Sequence, residues 1–114
     1  RPTLLADVKP GARAACEELF GPVVLLHRYA DIDTVFRWAN ASGFGINFGL
    51  FTESVKVALH AHRTVIAGAV IVNGTSTYRP DQMPYGGDRS SGYGRESPGD
   101  TVRAMTRERI VVFQ

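Results

Sequence analysis

Apolar and polar positions follow two alternating periods along most of the chain. Short, largely apolar runs of strand length are separated by stretches of helical period, and these runs are Val23–Tyr29, Phe48–Phe51 and Ala69–Asn73. The first run is continuous enough to predict a strand that is buried on both faces. Strands that alternate with helices predict an α/β fold with a mainly parallel sheet and right-handed crossovers.

Two helical patterns lie between these strands. Asp31 begins the first, and Gly43 is placed for a left-handed cap at its end. Its apolar stripe consists of Ile32, Val35, Phe36 and Ala39. Thr52 or Ser54 caps the second pattern, which extends to about Ile66. One side of that second helix carries Val55, Ala58, Leu59 and Ile66.

The pattern changes after Asn73. Gly74–Ser97 is rich in Gly, Ser, Pro, Tyr and charged residues, and it is long for a structureless loop in a compact domain. It follows the carboxyl end of the third strand, which is the edge where ligands bind in sheets of this kind. A short helix is predicted at Asp100–Thr106 and a final strand at Ile110–Phe113.

Composition narrows the class of protein. The 114 residues allow one domain at most, and 44% hydrophobic and 21% charged residues are typical of a soluble globular chain. Apolar runs such as Val23–Leu26 are far too short for a membrane span. The net charge of +2 without a basic block does not favour nucleic-acid binding. A single cysteine predicts a reducing, cytoplasmic setting, and a start at Arg1 predicts that residues preceded it.

Candidate nucleophiles and metal ligands are few. Cys16 is followed by two glutamates, which disfavour a thiolate, so a small half-buried side chain is predicted. His60 and His62 do not share a helix face, and no cysteine cluster accompanies them, so no metal site is predicted. Ser90 and Ser91 lack a G-x-S-x-G setting and are predicted to be solvated loop serines.

The glycine-rich stretches leave alternatives open. Gly43, Gly45 and Gly49 predict a cap and turn rather than a dinucleotide fingerprint. Phe44 and Phe48 would share a face of an extended segment and could stack RNA bases, although core packing is favoured. The loop Met83–Glu96 either passes close to a ligand or neighbouring element, or it is a surface hairpin.

Several motifs in one order carry a family resemblance. They are PTLLADV at Pro2–Val8, CEELFGPVV at Cys16–Val24, Ala39-Asn40 with Phe44-Gly45 and Phe51-Thr52, Ala67-Gly68 through Asn73, and PYGGDRSSGYGRE at Pro84–Glu96. Together they resemble the C-terminal part of the NAD(P)-dependent aldehyde dehydrogenases. The resemblance implies an α/β fold that is part of a doubly wound, mainly parallel sheet, Rossmann-like, from the distal half of that family's catalytic domain.

The resemblance implies roles for individual residues. Glu18 matches a glutamate that hydrogen-bonds the ribose hydroxyls of NAD or NADP, and Phe20 matches an aromatic residue beside the nicotinamide. Tyr78, Arg79 and Tyr85 match the wall of the substrate tunnel. TYRPDQMPYGG resembles a branch that acts on lactaldehyde-like and phosphonoacetaldehyde-like substrates, in which Arg79 would meet an anionic group.

Four further expectations come from the same resemblance. Glu96 matches a buried glutamate with a proton-relay role, and Arg95 matches an arginine near a subunit interface. Residues 1–107 would belong to the catalytic domain, and residues 108–114 would form an oligomerisation strand in a homo-oligomer. The family's nucleophilic cysteine, general-base glutamate and main dinucleotide-binding domain precede the matching region, so the chain alone is predicted to be inactive.

The predicted activity is therefore that of a parent enzyme that oxidises an aldehyde to a carboxylic acid. The predicted partners are a small aldehyde and further copies of the chain, without nucleic acid or membrane. The alternatives are a non-catalytic interaction module, with RNA binding as one form, and a pseudo-enzyme remnant. Apolar strand faces at Val23–Leu26 and Ala69–Val72 would stay uncovered, so the isolated chain is expected to associate or to be poorly soluble.

Overall fold

The computed structural model describes all residues 1–114, beginning with a short parallel strand pair. Strand β1 (Thr3–Ala6) pairs with β2 (Val23–Leu26), and the segment that connects them contains the one-turn helix α1 (Arg13–Cys16). The sequence pattern predicted neither β1 nor α1, because each is four residues long and α1 has no side-chain cap. A four-residue element carries too few periodic positions to be recognised.

The prediction that the strand from Val23 to Tyr29 is buried on both faces is wrong. Strand β2 ends at Leu26, and half-buried residues alternate along it with exposed ones. Val24 and Leu26 remain 62% and 53% exposed. Because nothing in this chain covers that face, the apolar run is half-buried on one side only, which agrees with the expectation that a face of Val23–Leu26 stays uncovered.

The second unit consists of helix α2 (Ile32–Ala41), strand β3 (Asn47–Leu50), helix α3 (Val55–Thr64) and strand β4 (Ala69–Val72). Strands β3 and β4 are parallel, with Phe48 opposite Val70, so this unit is a β-α-β arrangement. The two predicted helices and the two predicted strands are thereby confirmed, with ends that shift by one or two residues. The chain is α/β with parallel strand pairs, as predicted.

Both long helices begin at polar caps. The Asp31 carboxylate accepts the backbone N–H groups of Asp33 and Thr34 at 3.3 and 3.0 Å, and Ser54, not Thr52, caps α3. The Thr34 hydroxyl, with these N–H groups, lowers the pKa of Asp31. Gly43 follows α2 with a φ of 77°, the left-handed conformation predicted for it.

The core is small and lies entirely in the second unit. Four side chains are buried, namely Phe36, Leu50, Ala61 and Val65. The Phe48 ring meets Phe36 edge-on at 6.0 Å, which commits Phe48 to the core. Phe44 precedes β3 and does not share a strand face with Phe48, so the two aromatic rings do not form the stacking surface of the RNA-binding alternative.

The C-terminal part contains one helix and no strand. Helix α4 (Pro98–Met105) covers most of the predicted helix at Asp100–Thr106 and is capped by the Ser97 hydroxyl. The predicted strand at Ile110–Phe113 is not formed, because no other strand of the chain lies beside it and its side chains are exposed. A strand requires a neighbour for its ladder of hydrogen bonds.

The surface is unusually large for the mass. The chain exposes 9295 Å², whereas a compact protein of 12.4 kDa exposes roughly 6,100 Å². Its radius of gyration is 18.2 Å, compared with about 13 Å for a compact domain of this length. Two isolated two-stranded parallel sheets are also uncommon, since parallel sheets are normally covered on both faces. Much apolar surface therefore lacks a covering layer.

No helix is both long and apolar enough to cross a bilayer.

Candidate functional site

Glu18 and Phe20 lie in an irregular segment between α1 and β2. Their neighbour Glu17 is already engaged, because the Arg13 guanidinium donates to both of its carboxylate oxygens at 2.9 Å. This pairing lowers the pKa of Glu17 and raises the pKa of Arg13. Glu18 is exposed and the Phe20 ring is 96% exposed. Of the two adjacent carboxylates, Glu18 is thus the one free to meet a ligand.

A cavity of about 420 Å³ adjoins Glu18. It is lined by Glu18, Phe44, Ile46, Asn47, Ser90 and Ser91. The lining combines one carboxylate with apolar side chains and two hydroxyls, drawn from three separate parts of the chain. This combination suits a ligand that presents hydroxyl groups beside a flat ring. The ribose and nicotinamide of NAD(P) are such a ligand, so the residues present fit the cofactor that the resemblance implies.

A second cluster contains three of the predicted residues. The Arg79 guanidinium lies 3.8 Å over the Tyr85 ring, and its Nη2 is 3.4 Å from Glu96 Oε2. Tyr85 and Glu96 also face each other across an isolated antiparallel bridge. The bridge folds the long loop back on itself and so brings these residues together. The arrangement offers a positive charge held on an aromatic face, next to a carboxylate.

Glu96 and Tyr78 of this loop do not lie where they were expected. Glu96 was expected to be buried, but its side chain is 76% exposed, because no other layer of this chain lies over it. Tyr78 lines a different cavity, of about 380 Å³, beside Val70, Ile71 and Val72. The structure therefore brings Arg79, Tyr85 and Glu96 together but does not place Tyr78 among them.

The loop Met83–Glu96 packs against the second unit instead of forming a free surface hairpin. The Arg89 side chain donates hydrogen bonds to three backbone carbonyls, those of Asn40, Phe44 and Ile66. The Ser91 hydroxyl accepts the Gly45 N–H at 2.9 Å. The expectation that both serines are solvated is thus wrong for Ser91. Its hydroxyl accepts the hydrogen bond of the Gly45 N–H, which has no backbone carbonyl as its acceptor.

Tight packing explains two of the glycines. Gly45 is buried, and an added Cβ there would collide with the Ile66 carbonyl oxygen. Gly49 lies within β3, where a Cβ would come within 3.0 Å of the Gly74 oxygen. The prediction of a cap and turn holds for Gly43, but Gly45 and Gly49 are glycines because another part of the backbone passes close to them.

Sequence reasoning missed the roles of Asn40 and Arg89. The Asn40 amide donates to the Thr64 carbonyl and accepts the Ile66 N–H, both at 2.8 Å, and so joins the ends of α2 and α3. These partners lie 24 and 26 residues away, and those of Arg89 up to 49. The available signal was an asparagine in the last helical turn and an arginine in a glycine-rich loop.

The remaining candidates form no catalytic arrangement. Cys16 was expected to be half-buried, but it is exposed, because α1 is a single turn at the periphery, and its thiol donates to the Pro10 carbonyl at 3.2 Å. His60 pairs with Asp33 of α2, and the His27 ring lies 5.9 Å from that of Trp38. No group of three or more His, Cys, Asp or Glu side chains is arranged to hold a metal ion.

Comparison with known proteins places this arrangement in a family. Residues 1–111 match the aldehyde dehydrogenase family. A 3-sulfolactaldehyde dehydrogenase from Priestia aryabhattai is 42% identical over 112 residues, which cover 98% of this chain and 24% of that protein. The succinate-semialdehyde dehydrogenase [NADP(+)] 1 of Mycobacterium ulcerans is 36% identical over 110 residues, covering 96% of this chain and 24% of that protein.

Solved structures agree with the sequence comparison. The NADP-dependent glyceraldehyde-3-phosphate dehydrogenase from Bacillus halodurans, solved with NADP, superimposes with a TM-score of 0.89 at 35% identity, over 95% of this chain and 23% of that one. The aldehyde dehydrogenase from Bacillus cereus in its NAD+ complex gives a TM-score of 0.82 at 31% identity, over 90% of this chain and 21% of that one. The chain spans about a quarter of the length of these relatives. It has their fold over nearly all of its own length, and it belongs to the aldehyde dehydrogenase family.

Proposed function

We propose that this chain is the cofactor-orienting part of an NAD(P)-dependent aldehyde dehydrogenase, a cytoplasmic enzyme that oxidises an aldehyde to a carboxylic acid. The observation that carries the proposal is the uncommitted Glu18 carboxylate beside a cavity with apolar walls. The two solved relatives named above hold NADP and NAD+, which supports either dinucleotide as the cofactor.

Glu18 and Phe20 would divide the work of holding the cofactor. The Glu18 carboxylate can accept hydrogen bonds from both vicinal hydroxyls of a ribose, and such charge-assisted bonds are strong and directional. The exposed Phe20 ring can pack on the nicotinamide and restrict its tilt. When bound, the nicotinamide supplies the acceptor for the hydride that leaves the aldehyde carbon. The contribution of this chain is orientation, which sets the distance and angle of that transfer.

Arg79 and Tyr85 are proposed to line the path of the aldehyde, with Tyr78 on a separate part of the wall. The relative from Priestia is named for a sulfonated aldehyde, which supports an anionic group on the substrate. Such an anion would compete with Glu96 for the Arg79 guanidinium, whose 3.4 Å contact with that carboxylate is long and half exposed. Glu96, released from Arg79, could then accept or pass a proton.

Residues 1–107 are proposed to belong to the catalytic domain and residues 108–114 to an oligomerisation strand. Ile110 and Phe113 are 88% and 93% exposed and have no partner within the chain. An extended apolar segment with free backbone donors and acceptors is suited to pairing with a strand of a second copy. A homo-oligomer built in this way would bury these side chains.

The test of the cofactor role compares two neighbouring glutamates in the complete protein that carries this chain. Glu18→Gln removes the charge from the free carboxylate, whereas Glu17→Gln removes it from the carboxylate that binds Arg13. Hydrogen bonds to a charged group contribute about 1.5–3 kcal/mol, so Glu18→Gln is expected to lower kcat/KM for NAD(P)+ roughly 10- to 100-fold. Glu17→Gln should change it less than about twofold.

Initial rates of NADH or NADPH formation at varied cofactor concentration give kcat and KM for each variant. An equal loss in the two variants would mean that the effect is structural and that Glu18 does not meet the cofactor. A wild-type protein that reduces neither NAD+ nor NADP+ with any of a panel of neutral and anionic aldehydes would refute the proposed activity itself.

A further inference from the structure

Arg89 joins three parts of the chain that are remote in sequence. Its Nη2 donates to the Phe44 and Ile66 carbonyls at 2.6 and 2.9 Å, and its Nη1 donates to the Asn40 carbonyl. Asn40 lies in the last turn of α2, where carbonyl groups point out of the helix and favour a cation. One guanidinium thus connects the end of α2, the segment before β3 and the turn between α3 and β4.

The backbone around Arg89 strengthens the same junction. We call residues Asp88–Ser91 the clamp. The Asp88 N–H donates to the Gly45 carbonyl at 2.9 Å and the Ser90 N–H to the Gly43 carbonyl at 3.1 Å. The Ser91 hydroxyl accepts the Gly45 N–H. Every residue of the clamp therefore binds the segment 43–45 or the carbonyls next to it.

The backbone of Arg89 has an unfavourable conformation, which the contacts of the clamp stabilise. Its φ is 55°, in the left-handed region that residues with a side chain enter only at a cost. Its buried Nε has no hydrogen-bond partner. Such a conformation persists where the surrounding contacts determine it, and such places cluster at functional sites. The three carbonyl bonds and the N–H bond to the Asp88 carboxylate, 2.9 Å, are those contacts.

The clamp also forms one side of the cavity that adjoins Glu18. Ser90 and Ser91 of the clamp line this cavity, and so does Phe44, whose carbonyl accepts from Arg89. A change in the guanidinium would therefore move the wall that faces Glu18, although Arg89 itself does not line the cavity. By contrast, none of the residues bound by the clamp belongs to the Arg79, Tyr85 and Glu96 cluster.

We propose that Arg89 is a positioning residue for the cofactor, which it serves by fixing the segment 43–47 and Ser90–Ser91 opposite Glu18. This role rests on the cofactor function proposed above. This role predicts a larger effect on cofactor use than on aldehyde use, because Ser90 and Ser91 of the clamp line the first site, whereas the clamp binds none of Arg79, Tyr85 and Glu96. A residue needed only for folding would lower the amount of active protein without separating the two Michaelis constants.

The experiment uses the complete protein with the variants Arg89→Ala, Arg89→Lys and Arg103→Ala. Arg103 is the control, because its side chain is 84% exposed and its ion pair is with Asp100, away from the clamp. Arg89→Ala is expected to raise KM for NAD(P)+ about tenfold, while KM for the aldehyde changes less than about twofold. Arg89→Lys should fall between wild type and Arg89→Ala, because an ammonium donates from one point and cannot span three carbonyls. Arg103→Ala should match wild type.

The outcomes separate the two proposals. If wild type uses NAD(P)+ and folded Arg89→Ala keeps the wild-type KM for it, the positioning role is wrong and the cofactor function of Glu18 stands. If both Michaelis constants rise together, Arg89 is structural only. If Arg89→Ala does not fold, Arg89→Lys decides by the same comparison. If wild type uses no dinucleotide, the proposed function fails, and the positioning role with it.

Discussion

The chain of 114 residues, purified alone and supplied with an aldehyde and NAD+ or NADP+, is expected to form no NADH or NADPH. The reaction of this family begins with attack by a cysteine thiolate on the aldehyde carbon. Cys16 is the one cysteine here, and its thiol donates a hydrogen bond to the Pro10 carbonyl and not to a histidine or a carboxylate that could activate it. The chain alone should therefore have no aldehyde dehydrogenase activity at all.

The isolated chain is also expected to associate. It exposes about 3,200 Å² more surface than a compact protein of its mass. A standard interface buries about 800 Å² on each partner, so the excess equals several interfaces. Apolar side chains on β1 and β2 contribute to it, among them Leu4, Val24 and Leu26. Burying such a face is favoured by roughly 25 cal/mol per Å².

Light scattering coupled to gel filtration, together with a dye that fluoresces on apolar surface, measures this association. Oligomers or aggregates with strong dye binding are the predicted result. A monodisperse monomer with little dye binding and a sharp melting transition would show that the chain covers its own core. Formation of NADH by that monomer would contradict the predicted inactivity as well.

The substitution Gly45→Ala is expected to lower the stability of the protein strongly, because a methyl group at this position would collide with backbone. Gly45 is buried, and its new Cβ would meet the Ile66 carbonyl oxygen, the Ala67 Cα at 3.2 Å and the Arg89 Nη2 at 3.2 Å. Two of these atoms belong to backbone and cannot rotate away. Overpacking of this kind costs about 1–3 kcal/mol, and we expect the upper end of that range.

Gly11→Ala is the matched control for this substitution. No heavy atom lies within 4 Å of the Cβ that it would add, and Gly11 does not have a positive φ. Its effect should stay within about 0.5 kcal/mol. Soluble yield and thermal melting of the two variants in the complete protein provide the comparison. Equal melting temperatures would mean that the backbone does not approach Gly45 as closely as described.

Local signals in the sequence were sufficient for the central elements. Helix α2 was predicted from Asp31, the apolar stripe around Phe36 and the glycine at position 43, and each of these acts within a few residues of its partner. The strands β3 and β4 were likewise predicted from short apolar runs. Where an element consists of four residues, as β1 and α1 do, the pattern was too short to be noticed.

Contacts between remote residues could not be predicted from one sequence. The hydrogen bonds of Asn40 and Arg89 join residues 23 to 49 positions apart, and neither composition nor period specifies such pairs. The exposure of Val24 and Glu96 and the missing ladder at Ile110–Phe113 share another cause. Nothing in this chain covers Val24 or Glu96 or pairs with Ile110–Phe113. The burial predicted from the apolar run for Val24 and from the resemblance for Glu96 was therefore wrong, and the predicted strand is not formed.

The roles of Glu18 and Phe20 came from the resemblance of the E-E-L-F-G-P motif and not from any physical signal in the sequence. The structure adds a reason to separate Glu18 from Glu17, since Arg13 occupies one and leaves the other free. It also adds the wall opposite Glu18, which consists of residues that the motif does not contain, among them Asn47 and Ser91.

The most direct test of the cofactor role is amide hydrogen exchange of the complete protein with and without saturating NAD+ or NADP+. Slower exchange is expected in the segments that surround the proposed site, namely residues 18–21, 44–47 and 90–91, with little change in α4. Protection confined to other parts of the protein, with these three segments unchanged, would contradict the cofactor role.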